Sequence, residues 1–244
     1  MDEDKRLAEL KFHFEKSMEK LSNKCTSHIS TAWEKLVDLH QCKPYHNLYL
    51  AYNDLKTAQE LLYTVPSNVI VAAVLRYAEF DPTKSNNTEQ AVTSAEFFLS
   101  QPFGWNYQNI RDVTDCIRGS FQIVAPSNQE TFPVRLMHDM KISRFSRKPQ
   151  EFITDRQNAK KEFNHVGERK FYSSEAALLK CYDNIPNLFS LDGFNPLLPK
   201  IKETIRNRIS YLAEMEKYLD SRDGVNRLQQ NKKDSDKIGI PMYD

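Results

Sequence analysis

The residues that could do chemistry are few at useful spacings. Cys42 lies between His40 and His46, a nucleophile close in sequence to a base. No third group to orient the base is identifiable there, so covalent catalysis is not expected. Glu79 and Asp81, or Asp112 and Asp115, are near enough to be imagined as an acid and a base. On helices and turns such pairs are usually solvated or capping groups, and that is the expectation here. The most basic stretch runs from Lys141 to Lys161 and holds Lys141, Arg144, Arg147, Lys148, Arg156, Lys160 and Lys161. Projecting to one side, these would face phosphate, with Phe145 or Phe152 available to stack on bases. Arg144, Arg147, Lys148, Lys160 and Lys161 are the candidates for phosphate or nucleic-acid binding.

Other chemistries are excluded by composition. The first glycine is Gly104, and no Gly-rich phosphate loop occurs anywhere, which removes dinucleotide-binding and P-loop mechanisms. Cys25, Cys42, Cys116 and Cys181 are scattered without a C-x-x-C pair, so a zinc knuckle or dithiol motif is not expected; reduced, mostly buried thiols are. With 34 basic and 33 acidic residues the net charge is +1, and no global field announces nucleic acid or an anionic membrane. The charged opening "MDEDKRLAELKFHFEK" lacks the apolar core of a signal peptide, and no later run could span a bilayer. The expectation is a soluble cytoplasmic protein.

The elements that must position these residues read as helices throughout. Leu7, Leu10, Phe14, Met18 and Leu21 line one face of a first amphipathic helix, expected to dock on the protein's own body. A second carries Trp33, Leu36, Val37 and Leu39 and breaks at Pro44; a third carries Leu48, Tyr52, Leu55 and Leu62. Ser67 or Asn68 can cap "VIVAAVLRYAEF", which should be the most buried helix. Further helical segments follow, the last from Lys200 to about Leu219. Period-two alternation is nowhere sustained, so the fold class is all-α.

Several segments, in order, resemble the HD-domain superfamily of metal-dependent phosphohydrolases: "WEKLVDL" from Trp33, "KPYHNLYLAY", "VIVAAVLRYAEFDP", "NNTEQAVTSAEFFL", "VTDCIRGS", "VRLMHDMKISRFS" and "KKEFNHVGERKFYSSEAALL". The likeness spans roughly Trp33 to Met215. It implies a helical bundle in which a His of a "YHN" step, a His-Asp pair ending a buried helix and a distant Asp hold a divalent ion that polarises phosphate and activates water. His46 matches the first ligand and Asp139 the last. Arg76 and Tyr77 stand where the His-Asp pair belongs, while Leu50 and Gln122 stand at two further histidine positions.

Two ligands would leave an ion mostly hydrated, and an arginine beside them repels it. The resemblance therefore implies a degenerate member with no metal or other cofactor, its vestigial site made of His46, Arg76, Tyr77 and Asp139. Arg76 is expected to pair with Asp139 and with the His46 imidazole; the alternative is a side chain snorkelling to solvent. The domain organisation is an N-terminal helical extension (1–30), an HD-like helical bundle (31–219) and a flexible polar C-terminal tail (220–244) ending in the apolar "IGIPMY". The implied function is a binding or assembly subunit with a protein partner, its old pocket open to a nucleotide or phosphate. The alternatives are an active phosphohydrolase with a divalent metal on His46, His138 and Asp139, and a nucleic-acid-binding module. Adjacent residues of a helix diverge by about 100°, so His138 and Asp139 are not expected to share one ion.

Overall fold

The computed structural model describes residues 3–22, 27–62, 64–100 and 103–238. Those residues form ten α-helices and no strands: α1 (Glu3–Leu21), α2 (Ser27–Gln41), α3 (Leu48–Leu62), α4 (Ser67–Leu75), α5 (Asn87–Ser100), α6 (Tyr107–Phe121), α7 (Phe132–Ser143), α8 (Pro149–Glu162), α9 (Glu168–Asn184) and α10 (Leu198–Ile238). The all-α reading therefore holds.

The centre is α4. Every residue from Val69 to Leu75 is buried, and α1, α3, α6 and α7 pack around it. An apolar run without a polar face can satisfy water nowhere, so it becomes the axis on which amphipathic neighbours lay their stripes. Its start differs from expectation: Pro66 takes the N-cap position, without a side-chain cap, and Ser67 and Asn68 are the first helical residues. The stripe of α1 docks on this axis with Leu10, Phe14 and Met18 almost fully buried, and Phe14 meets Trp33 at 5.5 Å between ring centroids. One hydrophobic cluster runs from Leu10 through Leu219, so the N-terminal helix belongs to the common core.

Gly119 lets α6 and α7 approach closely. A Cβ there would lie 2.8 Å from Val134 Cγ1 and 3.0 Å from Val134 O, both too near for a side chain. Gly167, at φ +82°, supplies the left-handed turn that starts α9.

The second layer is α8, α9 and α10. Ile201, Ile205, Leu212 and Leu219 are the buried positions of α10, at four- and seven-residue steps that keep one face on α9. The helix does not stop near Leu219 but continues to Ile238. Arg169 of α9 helps to hold that continuation, donating to Asp220 at 2.6 Å and Asp223 at 2.9 Å. The terminal apolar plug, apart from Ile238, lies outside the described residues. No described helix is long and apolar enough to cross a membrane.

Candidate functional site

The turn between α2 and α3 delivers His46. Lys43 opens this turn and donates to the carbonyls of Tyr77 and Ala78, tying it to the end of α4. Both carbonyls lie in the turn that follows α4. Burial holds the Lys43 amine below its usual range.

His46 itself hydrogen-bonds through Nδ1 to Glu162, at the end of α8. Glu162 also accepts the backbone N–H groups of Tyr45 (2.8 Å) and His46 (3.0 Å). Burial drives the His46 imidazole down to about 4, against the pull of Glu162 and helped by the positive charges of Arg144 and Arg76. The ring is therefore neutral at neutral pH, an Nδ1–H donor to an ionised carboxylate. Burial alone would raise Glu162; the hydrogen bonds from the His46 ring and from the backbone N–H groups of His46 and Tyr45 outweigh it and hold the acid below its usual range. Phe80 and Tyr77 pack on the imidazole, with ring centroids at 3.9 and 4.5 Å.

Arg76 follows directly on α4 and is 0% exposed, so it does not snorkel to solvent. Nor does it pair with Asp139 or His46, as the sequence suggested. Its Nη2 donates to Asp54 of α3, a residue the sequence reading passed over. Arg144, in the 3₁₀ turn after α7, reaches the same carboxylate through Nε (2.9 and 3.1 Å) and Nη2 (2.6 Å). Arg147 adds Nη2 at 2.9 Å and turns its Nη1 onto Asp155 at 2.6 Å. Burial pushes the Asp54 carboxyl up, but the charges of Arg144, Arg76 and Arg147 and the Arg144 hydrogen bond prevail and hold it below the ordinary range.

Tyr77, in the place of the expected aspartate, offers its ring to two of these cations. Arg76 Cζ lies 4.7 Å and Arg144 Cζ 5.8 Å from the ring centroid. Arg76 Nε and Nη1 have no hydrogen-bond acceptor, and the Tyr77 ring gives this side chain an electron-rich face. Lys141 comes from α7, donating to the carbonyl of Gln122. Burial, then Arg144 and Arg76, lower its amine to about 7.

Asp139 is fully buried. It accepts the backbone N–H of Leu191 at 2.8 Å and of Ser190 at 3.1 Å, with the Ser190 hydroxyl at 3.3 Å. Its neighbour His138 also meets it, with Nδ1 at 3.0 Å from Oδ1. His138 Nε2 is buried without a partner. Asp139 is thus an anchor for the 190–191 backbone.

The residues do not fit the divalent ion that the resemblance implies. His46 is committed to Glu162 and feels two guanidinium charges, Arg76 stands where the resemblance would put a histidine ligand, and Asp139 is saturated by amides. Among the described residues no three His, Cys, Asp or Glu side chains form a group that could hold a metal. An ion entering beside Arg76 and Arg144 would meet two fixed positive charges at low dielectric.

The remaining candidates disperse. The basic stretch does not form one patch: Arg144 and Arg147 turn inward to Asp54, Lys160 donates to Glu168 and to Tyr172 Oη, and Lys148 and Lys161 are exposed. Arg156 donates to Tyr45 Oη. Cys42 and Cys181 are exposed and only Cys116 is buried, against the expectation of mostly buried thiols; Cys25 lies outside the described residues. His40 is packed against the carbonyls of Val74 (3.1 Å) and His46 (3.3 Å), where burial lowers it to about 4. Asp81 accepts Thr83 N and Oγ1 and Asp115 accepts Arg118, the capping and surface roles expected of such carboxylates.

The missed residues left one kind of signal. Asp54 is an acid within the apolar face of α3, where Leu50, Ala51, Leu55 and Ala58 are buried. A lone carboxylate on such a face implies a buried cation. Glu162 and Glu175 gave no such sign in their polar surroundings.

In comparisons with known proteins, no family model, no curated protein and no solved structure matches this chain. What defines its class is the all-α bundle and the arginine–aspartate centre at the end of α4.

Proposed function

We propose that this protein is a catalytically degenerate bundle of the HD type that works as a binding or assembly subunit and not as a hydrolase. The observation that carries the reading is the buried ion cluster: Asp54 with Arg76, Arg144 and Arg147, all four side chains at most 9% exposed. A guanidinium in place of the histidine of the pair supplies positive charge without an open coordination site. It can neither polarise a phosphoryl oxygen as a Lewis acid nor generate hydroxide. Support for a phosphate in the same place is weak, because an incoming anion would have to displace Asp54 from three guanidiniums. The altered metal site on His46, His138 and Asp139 is likewise disfavoured, since two of its three members already have charged or saturating partners.

The test is a thermal-unfolding series with manganese, iron, zinc and magnesium, run beside hydrolysis assays on phosphomonoesters and nucleotides. The expected result is an unchanged midpoint with every ion and no turnover. A metal-dependent rise in midpoint together with turnover that disappears in His46→Ala or Asp139→Ala would overturn the reading.

A further inference from the structure

A cavity of about 370 Å³ opens between α8, α9 and α10, away from the Asp54 cluster. Its size falls within the range of small-molecule sites, roughly 300–1,000 Å³. Phe152, Tyr172 and Tyr211 give it aromatic walls, and Arg156, Lys160 and Arg208 bring three cations. Each cation rests on one of the rings: Arg156 Cζ lies 5.6 Å from the Phe152 centroid, Lys160 Nζ 4.9 Å from Tyr172 and Arg208 Cζ 4.8 Å from Tyr211.

The counter-charges do not match the cations in number. Glu175 takes Arg208 in a two-point pair (3.1 and 2.8 Å) and stands 3.8 Å from Arg156, while Glu168 takes Lys160. Two carboxylates thus face three cations. The deficit falls on Arg156, whose Nε is buried without any hydrogen-bond partner. An N–H in that position is costly to leave unpaired, and the same guanidinium, held by Tyr45 Oη through Nη2, belongs to a side chain on the cavity wall.

We propose that this cavity binds a small aromatic anion, a flat ring system bearing a carboxylate, sulfonate or phosphate. The ring packs against Tyr172, Tyr211 and Phe152, and the anionic group meets Arg156, flanked by Lys160 and Arg208. Arg156 supplies the specificity because its planar donors match an oxyanion while its stem stays packed. This site is independent of the degenerate-centre reading, since none of its residues belongs to the Asp54 cluster.

The experiment is a fluorescence titration of the full chain with anilinonaphthalene sulfonate, an aromatic sulfonate that brightens on leaving water. Saturation at one equivalent per chain is expected, weakened about tenfold by Arg156→Met, which keeps the stem and removes the charge-assisted donors. Arg156 is partly buried, so Ile153→Glu serves as the second variant. Ile153 lines the cavity and is 44% exposed, and a carboxylate there repels an anion without disturbing the core. Circular dichroism checks that both variants are folded. Competition separates the two natural sources: displacement by adenosine monophosphate identifies a nucleotide, and displacement by naphthoate alone identifies an aromatic carboxylate. Failure to saturate, displacement by neither competitor, or binding indifferent to both substitutions overturns the proposal.

Discussion

Around Asp54 three guanidiniums share one carboxylate, with side-chain exposures of 0, 9 and 8% for Arg76, Arg144 and Arg147. Around the α8–α9–α10 cavity, Arg156, Arg208 and Lys160 keep 17, 13 and 40%. The same residue types do different work at the two depths. In the deeper cluster each guanidinium is fixed by the carboxylate, because an ion removed from water must be compensated within the protein. At the cavity, water screens the Lys160–Glu168 pair and rings share all three cations, so charge remains to be offered to a ligand. Depth, more than composition, separates an ion pair that holds the fold from one that can exchange partners.

The sharpest way to break that contrast is Asp54→Ala. It leaves three cations facing one another with no shared acceptor, and a loss of about 4 kcal/mol or more of unfolding free energy is expected from chemical denaturation. A loss below about 1 kcal/mol would mean that the cluster is solvated after all.

The pH dependence probes the same region through His46. Its folded value of about 4 lies below that of an exposed imidazole, so the unfolded chain binds the proton more readily across that interval. Stability contributed by the neutral ring is therefore full above about pH 6.5 and is lost as pH falls toward about 4. At about 1.4 kcal/mol for each tenfold change in proton affinity, the share of His46 is roughly 3 kcal/mol. The stabilities of the parent and His46→Gln, compared across that range, should diverge by this amount; parallel pH dependences would show that the ring is solvated.

Asp139→Ala is expected to cost about 2–3 kcal/mol, since the amides of Ser190 and Leu191 lose their acceptor and the loop over α7 loses its anchor. Measured by amide exchange, the protection of those two N–H groups should fall with it. At the other end of the scale, Glu168→Gln should change stability by less than about 0.5 kcal/mol, because its pair with Lys160 is partly exposed. A larger effect would move the cavity cations into the class of the buried cluster.

How much of this was legible beforehand varied with the physics of each feature. The stripe of α1, the apolar axis of α4 and the absence of strands follow from periodicity, a property of neighbours in sequence. Of the four residues His46, Arg76, Tyr77 and Asp139 that the sequence grouped, the ring of Tyr77 touches His46 and Arg76, while Asp139 is taken up by the amides of Ser190 and Leu191. The partners were not legible. Asp54 lies 22 residues before Arg76 and 90 before Arg144, and Glu162 lies 116 after His46. No periodicity links positions that far apart. The continuation of α10 past Leu219 was missed for the related reason that a polar segment carries no stripe, while the contacts of Arg169 with Asp220 and Asp223 exist only once α9 lies alongside.

The sequence by itself determined that this chain is helical, which of its faces turn inward, and that a guanidinium stands at the end of its most buried helix. These are consequences of side-chain polarity at fixed spacing. Only the tertiary structure decided which carboxylate neutralises that guanidinium and that Asp139 serves a backbone instead. It alone also brought three ringed cations around an open cavity. Charge compensation is settled by proximity in space, at distances that chain order leaves undetermined.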